Sequence, residues 1–286
     1  MKRAAVAAVM LLAGCAEPAA DLQAADAGPT EGSGTDGAFG GEAVFPALVF
    51  RSYRVLPVLL GESDGFNLDG RMSSGSDREG CLKEDSKAPN GTGGIDNAVG
   101  GFWSAFYEAF GSSLESIFRE AASRGGEIPL LVLPPQGGAR FGTARLDGAQ
   151  VELSGLLSGY QTFDLEVIGE WMPASIGNTQ LSFGPGDVDV TVEVFSVSFV
   201  LPIERLQGEL RRDARGVWVG KVGGSFAVDA VPEVFANIVC FGASESLLPT
   251  IVEAADMTGP DGACSRISFA AAVEAVESFA VWPTAP

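Results

Sequence analysis

The chain has 286 residues, with 37 acidic residues, 18 basic residues and no histidine, which gives a formal net charge of −19. This balance disfavours nucleic acid and anionic membrane surfaces as partners, because both would repel the chain. The absence of histidine excludes Ser-His-Asp and Cys-His catalysis and every metal site that needs an imidazole ligand.

The first residues resemble a bacterial lipoprotein signal. Lys2 and Arg3 precede a short apolar run at residues 4–13, which leads through Gly14 into Cys15. A basic start, a short apolar run and a small-residue cleavage site are typical of an exported chain. The run is too short to cross a bilayer, which takes about 20 residues. We therefore predict a signal peptide over residues 1–14.

The resemblance implies that Cys15 is acylated and becomes the N-terminus after cleavage. Ala16, and not an aspartate, follows this cysteine, which in the family implies the outer membrane. We therefore expect a lipid-anchored protein of the cell envelope, on the periplasmic face or the cell surface. The membrane is the one partner predicted, through the acyl chains on Cys15.

Residues 15–42 are predicted to form a disordered acidic tether. They contain six acidic residues and no basic residue, among Gly, Ala, Pro, Ser and Thr. Such a composition buries too little apolar surface to offset the entropy lost on ordering. Residues 43–286 are predicted to form a single globular domain rich in β-structure.

The domain is predicted to begin with one or two strands over residues 45–60. A long irregular excursion at residues 61–94 follows, and loops of that length are usually functional or disordered. Residues 96–124 then show the clearest helical periodicity of the chain. A helix packed on a sheet is the favoured interpretation of its aromatic stripe, and a ligand groove is the alternative.

Strand patterns dominate after that helix. They cover residues 129–133, 161–171, 187–201, 217–228 and 266–276. The alternation changes phase at Phe195, which predicts a bulge or a crossing between sheets because the side-chain period of a strand is two. Two short helices are predicted at residues 232–241 and 246–257.

This order predicts an α+β fold that is mainly antiparallel β, arranged as a sandwich or a partly open barrel. The long N-terminal helix and the two short C-terminal helices are expected on one side of it.

Three cysteines remain once Cys15 is assigned to lipid, and none lies in a CxxC motif. In an exported chain they allow one intramolecular bridge and one leftover thiol. We predict a disulfide between Cys240 and Cys264, because an intervening helical pair can double back and bring the two together. Cys81 is then free, paired with another chain, or a competitor for Cys264.

Short motifs on either side of the excursion carry a second resemblance. The stretches are GFNLDG at residues 65–70, DNAVG at residues 96–100 and CSRIS at residues 264–268. They resemble a group of uncharacterised exported bacterial proteins, common among lipoproteins of myxobacteria-like organisms. The resemblance covers most of the chain beyond residue 45 and implies no activity.

The same stretches resemble part of a calcium loop. Oxygen ligands at alternate positions with a glycine at the turn suit a hard cation, and Asn67, Asp69, Asp96 and Asn97 are the candidate ligands. Gly65, however, stands where a first aspartate ligand belongs. The alternative is a network of Asx turns with a helix cap, in which the same oxygens accept backbone N–H groups. No other cofactor is expected.

Three classes of function remain open. The favoured one is a non-enzymatic binding or envelope-structural protein, because the chain contains no histidine for a catalytic triad and no GxxxxGK[ST] motif. The second is a carrier of an apolar ligand inside a β shell. The third is a histidine-free hydrolase, which would place two carboxylates roughly 5–9 Å apart across a cleft.

Overall fold

Ten β-strands build the part of the chain that the computed structural model describes. That part comprises residues 43–101, 128–135, 137–145, 150, 152, 156–194, 197–230 and 252–282, within one compact unit, Gly41–Pro286. The strands are β1 (Ala43–Val55), β2 (Ile128–Val132), β3 (Ala139–Arg145), β4 (Thr162–Met172), β5 (Ala174–Ile176), β6 (Gln180–Val194), β7 (Val197–Arg212), β8 (Trp218–Ala227), β9 (Met257–Thr258) and β10 (Cys264–Trp282).

The last strand, β10, organises the sheet. Its first half pairs with β8, its second half pairs with β1, and residues 279–281 run parallel to β4. Because β1, β2, β3 and β4 also pair in that order, these four strands and β10 close into a five-stranded ring. From β10 the sheet continues outward through β8, β7 and β6 to β5.

Two apolar cores follow from this arrangement. Strand β1 is buried on both faces, since Ala47 and Val49 face one core while Leu48 and Phe50 face the other. The core inside the five-stranded ring contains Ala47, Val49, Ile128, Leu130, Val132, Phe163, Leu165, Val276 and Ala280. The second core joins the outer face of the ring to β6, β7 and β8, through Leu48, Phe50, Phe141, Met172, Leu181, Phe183, Val188 and Ile203.

The predicted fold class is wrong. The described residues form a single mixed sheet, and helix is almost absent from them, so the fold is not a β-domain with three helices on one side. Of the long helix predicted at residues 96–124, the described part is helical at residues 98–101, and the rest lies outside the described residues. At the other end, residues 252–253 are helical and Met257 begins β9. Apolar residues at helical spacing indicate a helix from neighbouring residues alone. This pattern carries no information about whether a distant strand pairs with the same residues.

The described residues between 187 and 201 belong to two strands that pair with each other, and not to one strand with a bulge or a crossing. The prediction of a bulge or crossing is therefore wrong, while Phe195 itself lies outside the described residues. Strand β6 ends at Val194 and β7 begins at Val197, and these two residues pair directly. A tight turn between antiparallel strands shifts the alternation just as a bulge does, so the pattern alone does not separate the two. Among the described residues, no helix is long and apolar enough to cross a membrane.

Candidate functional site

The four predicted calcium ligands lie in the irregular segment that follows β1 and leads into the described helix, residues 56–100. Isolated bridges hold this segment together, among them Phe66 with Asp96 and Ser86 with Ile95. The segment is therefore an ordered part of the domain, although it contains no regular strand. Leu56 starts it by donating its N–H to the carbonyl of Ala270 in β10, with 2.9 Å between the two atoms.

Asn97 makes four hydrogen bonds, three within this segment and one to β10. Its Oδ1 accepts the N–H groups of Gly100 and Ala270 at 3.1 and 3.0 Å, and its Nδ2 donates to Leu56 O and Ser63 Oγ, both at 2.8 Å. These bonds use both donors and both acceptor positions of a buried amide. An alanine Cβ at Gly100 would lie 2.3 Å from Leu56 O, so the close approach needs glycine.

The other predicted ligands form local turns and a backbone cradle. Asn67 Oδ1 accepts Gly70 N–H at 2.6 Å, and Asp69 Oδ1 accepts Arg71 N–H at 2.8 Å. Asp96 Oδ2 accepts the N–H groups of Leu68 and Asp69 at 2.5 and 3.2 Å. The structure thus brings Asp96 to the 67–71 turn, in the arrangement of the Asx-turn alternative.

Asn97 does not join that group, because its amide is directed to β10. Within the residues that the structure describes, no three or more acidic or cysteine side chains are grouped to hold a metal ion. Calcium binding through Asn67, Asp69, Asp96 and Asn97 therefore stays a prediction.

A second carboxylate, that of the half-buried Asp256, is connected to the start of the helix through Ser268. Its Oδ1 accepts Ser268 N–H at 2.9 Å, and its Oδ2 accepts the Ser268 hydroxyl. The same hydroxyl oxygen accepts Ala98 N–H at 2.9 Å. Sequence reasoning missed Asp256 and Ser268, because the only local signal was the CSRIS stretch at the start of β10.

Burial dominates the electrostatics of these acids. It raises the pKa of Asp96 to about 7, with the nearby charge of Asp69 adding to the shift. Burial likewise raises the pKa of Asp256 to about 6, against the opposing effect of its bonds to Ser268. The pKa of Asp85 is also raised by burial. Ionisation of these groups at neutral pH therefore lowers the stability of the folded state.

We predict that Asp256→Asn flattens the pH dependence of stability. The folded chain holds the Asp256 proton more tightly than the unfolded chain, so its contribution is fully present below the ordinary aspartate pKa of 3.8 and is lost as pH rises through about 6. Between pH 3.8 and about pH 6, the free energy of unfolding of the wild type should fall by on the order of 2 to 3 kcal/mol more than that of the variant. Denaturant unfolding at a series of pH values measures it.

The matched control is Asp261→Asn, at an exposed aspartate whose Oδ1 accepts Ala263 N–H at 3.0 Å. This control should follow the wild-type pH curve. A curve for Asp256→Asn that runs parallel to the wild type would contradict the assignment of the pH dependence to this carboxylate.

The predicted disulfide is wrong. Cys264 pairs with Cys81, with 5.5 Å between their Cα atoms, and Cys240 lies outside the described residues. The 56–100 segment folds back onto the start of β10, so two cysteines separated by 183 positions become neighbours. The sequence analysis disfavoured Cys81 as a partner because it lies far from Cys264 along the chain. Residues that are distant in sequence can nevertheless be neighbours in the folded structure.

Two grooves open on the surface of the sheet. One has a volume of about 710 Å³ and is lined by Lys221, Asp64, Glu209 and Arg211 among others. In it, Lys221 Nζ donates to Asp64 Oδ1 at 2.7 Å and to Gly65 O at 2.9 Å. These contacts bridge more than 150 positions of sequence, and no pattern in the chain indicated them.

The other groove has a volume of about 640 Å³ and lies where β4, β6 and β7 meet. Its charged lining residues are Arg140, Glu170, Asp187, Asp189 and Glu204. Charged side chains therefore line both grooves, which does not favour either as the container of an apolar ligand. Comparison of the chain with protein-family models, with curated proteins and with solved structures gives no significant match.

Proposed function

We propose that the chain is a lipid-anchored protein of the bacterial cell envelope whose β-domain has a binding or structural role and no catalytic one. The observation that carries this proposal is the Cys81–Cys264 disulfide. Disulfides persist in oxidising compartments outside the cytoplasm and are rare within it. The bridge therefore supports export independently of the pattern that ends at Cys15.

The way in which the buried polar side chains are used supports a non-enzymatic role. Asp96, Asn97 and Ser268 are each less than 5 % exposed. Asp96 accepts the N–H of Leu68 within the 56–100 segment, and the hydrogen bonds of Asn97 and Ser268 join that segment to β10. A catalytic acid or base must instead reach a substrate within hydrogen-bond distance. We therefore assign these groups to stabilising the fold.

Attachment to the membrane is assigned to acyl chains on Cys15. Each buried CH₂ of an acyl chain contributes about 0.8 kcal/mol, so several chains hold a protein of this size on a bilayer. The acidic residues 15–42 would then connect the anchor to β1, which begins at Ala43. The binding partner of the domain, if its role is binding, would be met in the envelope.

We predict that Cys15→Ser abolishes acylation. Expressed in a Gram-negative bacterium with labelled palmitate, the wild type should carry the label and fractionate with membranes. The variant should carry none and should be released or remain an unprocessed precursor. Cys240→Ser is the matched control and should keep the label. A Cys15→Ser chain that is processed and fractionates as the wild type does would refute the anchor.

A further inference from the structure

An exposed apolar face lies at the end of the ladder formed by β1 and β10. Val44 is paired with Val281 and Pro46 with Phe279, and residues directly opposite each other in an antiparallel ladder point to the same face. Val44 is 56 % exposed and Phe279 is 39 % exposed, and Pro46 is also exposed. With Tyr160, which lies beside them, these residues are called the terminal patch.

The patch continues a face that is buried further along the same strands. Leu48 and Phe50, on the same side of β1, pack against β6, β7 and β8 in the second core. Strand β8 pairs with β10 only as far as Ala275. Beyond that point the described strands leave the outer face of the ladder uncovered, while its inner face, with Phe45 and Ala280, packs in the ring core.

Tyr160 is held over this face by β10. Its N–H donates to Glu277 O at 2.6 Å, and its hydroxyl lies 3.5 Å from Glu277 Oε2. Its φ of 60° is one that residues other than glycine seldom adopt. The side chain is nevertheless 71 % exposed. An aromatic ring with a polar tip, presented beside apolar side chains, suits the boundary between a bilayer and water.

The position of the patch in the chain indicates what covers it. Ala43, paired with Trp282, starts β1 next to Val44, so residues 15–42 join the domain at the patch. The flexible tether that their composition predicts would have a root-mean-square span of roughly 30 Å. An anchor on Cys15 would thus keep the patch close to the bilayer, at an effective concentration in the millimolar range for short flexible linkers.

We propose that the terminal patch lies against the zwitterionic lipid surface to which the acyl anchor holds the chain, and so fixes the orientation of the domain. This inference rests on the proposed lipid attachment. Asp164 lies beside Val281 on the same face, and Glu277 borders it. Glu277 is paired with Arg212, with 3.1 Å between Arg212 Nη2 and Glu277 Oε2. The carboxylate of Asp164 and the chain charge of −19 therefore favour zwitterionic over anionic head groups.

Hydroxyl-radical footprinting of the full acylated chain on saturated phosphatidylcholine vesicles tests the proposal. Met72 is 74 % exposed and Tyr160 is 71 % exposed, so the two provide an internal comparison once the unfolded chain has given their intrinsic reactivities. We expect the corrected oxidation of Tyr160 to fall severalfold below that of Met72, with Phe279 protected alongside it. Equal corrected oxidation of Tyr160 and Met72 would overturn the proposal.

A pair of variants assigns the protection to the patch. Val44→Ser with Phe279→Ser should restore the oxidation of Tyr160, whereas Val200→Ser with Val252→Ser should not. The control valines are 56 % and 52 % exposed and lie on other parts of the chain. Unchanged protection in the patch variant would overturn the proposal, and thermal unfolding checks that both variants fold.

Two further outcomes separate the causes of failure. Protection of Tyr160 that disappears when the chain is diluted to one copy per vesicle would mean that a second copy covers the patch, which overturns the proposal. If the measured intact mass of the chain shows no acyl chains, the proposed anchor is refuted and the proposed patch is not. In that case the same footprint, taken on the unacylated chain with millimolar vesicles, supports the patch if Tyr160 is protected and overturns it if Tyr160 is not.

Discussion

Replacing Cys81 and Cys264 together with serine should lower the free energy of unfolding by about 4 to 5 kcal/mol. The bridge joins residues 183 positions apart, and the entropy that a crosslink removes from the unfolded chain grows with the logarithm of the loop it closes. A loss of this size approaches the whole stability of many domains. Denaturant unfolding of the oxidised wild type and of the double variant measures it.

Non-reducing peptide mapping checks the pairing itself. The Cys81–Cys264 peptide should be the main crosslinked species, and Cys240→Ser should leave it in place. A Cys240–Cys264 peptide in its stead would show that Cys81 does not pair with Cys264 and would contradict the assigned bridge. The double serine variant would then lose stability for some other reason.

Asn97→Ala should lower the free energy of unfolding by about 3 to 4 kcal/mol, because it leaves two N–H donors and two oxygen acceptors without their partner. Those groups belong to Leu56, Ser63, Gly100 and Ala270. Asn97→Asp keeps the two accepted bonds and loses the two donated ones. Its charge would also lie next to Asp96 in the chain, so we expect the aspartate variant to recover stability at acidic pH.

The matched control for this prediction is Asn90→Ala. Asn90 is exposed, and its Oδ1 accepts one N–H, from Thr92 at 3.0 Å. This substitution should lower the free energy of unfolding by less than about 1 kcal/mol. Similar losses for the two alanine variants would show that Asn97 is an ordinary turn residue and does not join the segment to β10.

Local patterns predicted several elements well. Alternation over residues 161–171 predicted β4, observed at Thr162–Met172, and the pattern over residues 217–228 predicted β8, observed at Trp218–Ala227. A strand with one buried face records its period of two in its own residues, so nearby sequence suffices. The polar excursion was predicted for the same reason, because its Gly, Asn and Asp residues favour turns.

The extent of β10 was harder to predict, since its pattern was followed only over residues 266–276 while the strand runs from Cys264 to Trp282. Its alanine-rich centre is buried on both faces and shows little alternation. Pairing with β1, which lies more than 200 positions earlier, carries the strand to Trp282. No local window contains both members of that pair.

By itself, the sequence determined several strand-rich stretches, the irregular excursion at residues 61–94 and the acidic balance of the chain, and it left open whether Asn67 and Asp69 form turns or bind a cation. The tertiary structure alone decided that Cys264 pairs with Cys81, that Asn97 binds Ala270, and that Val44 and Phe279 share an uncovered face. The reason is physical. Periodicity and turn chemistry act between neighbours along the chain, whereas a disulfide, a buried amide and a shared face depend on which distant strands pair.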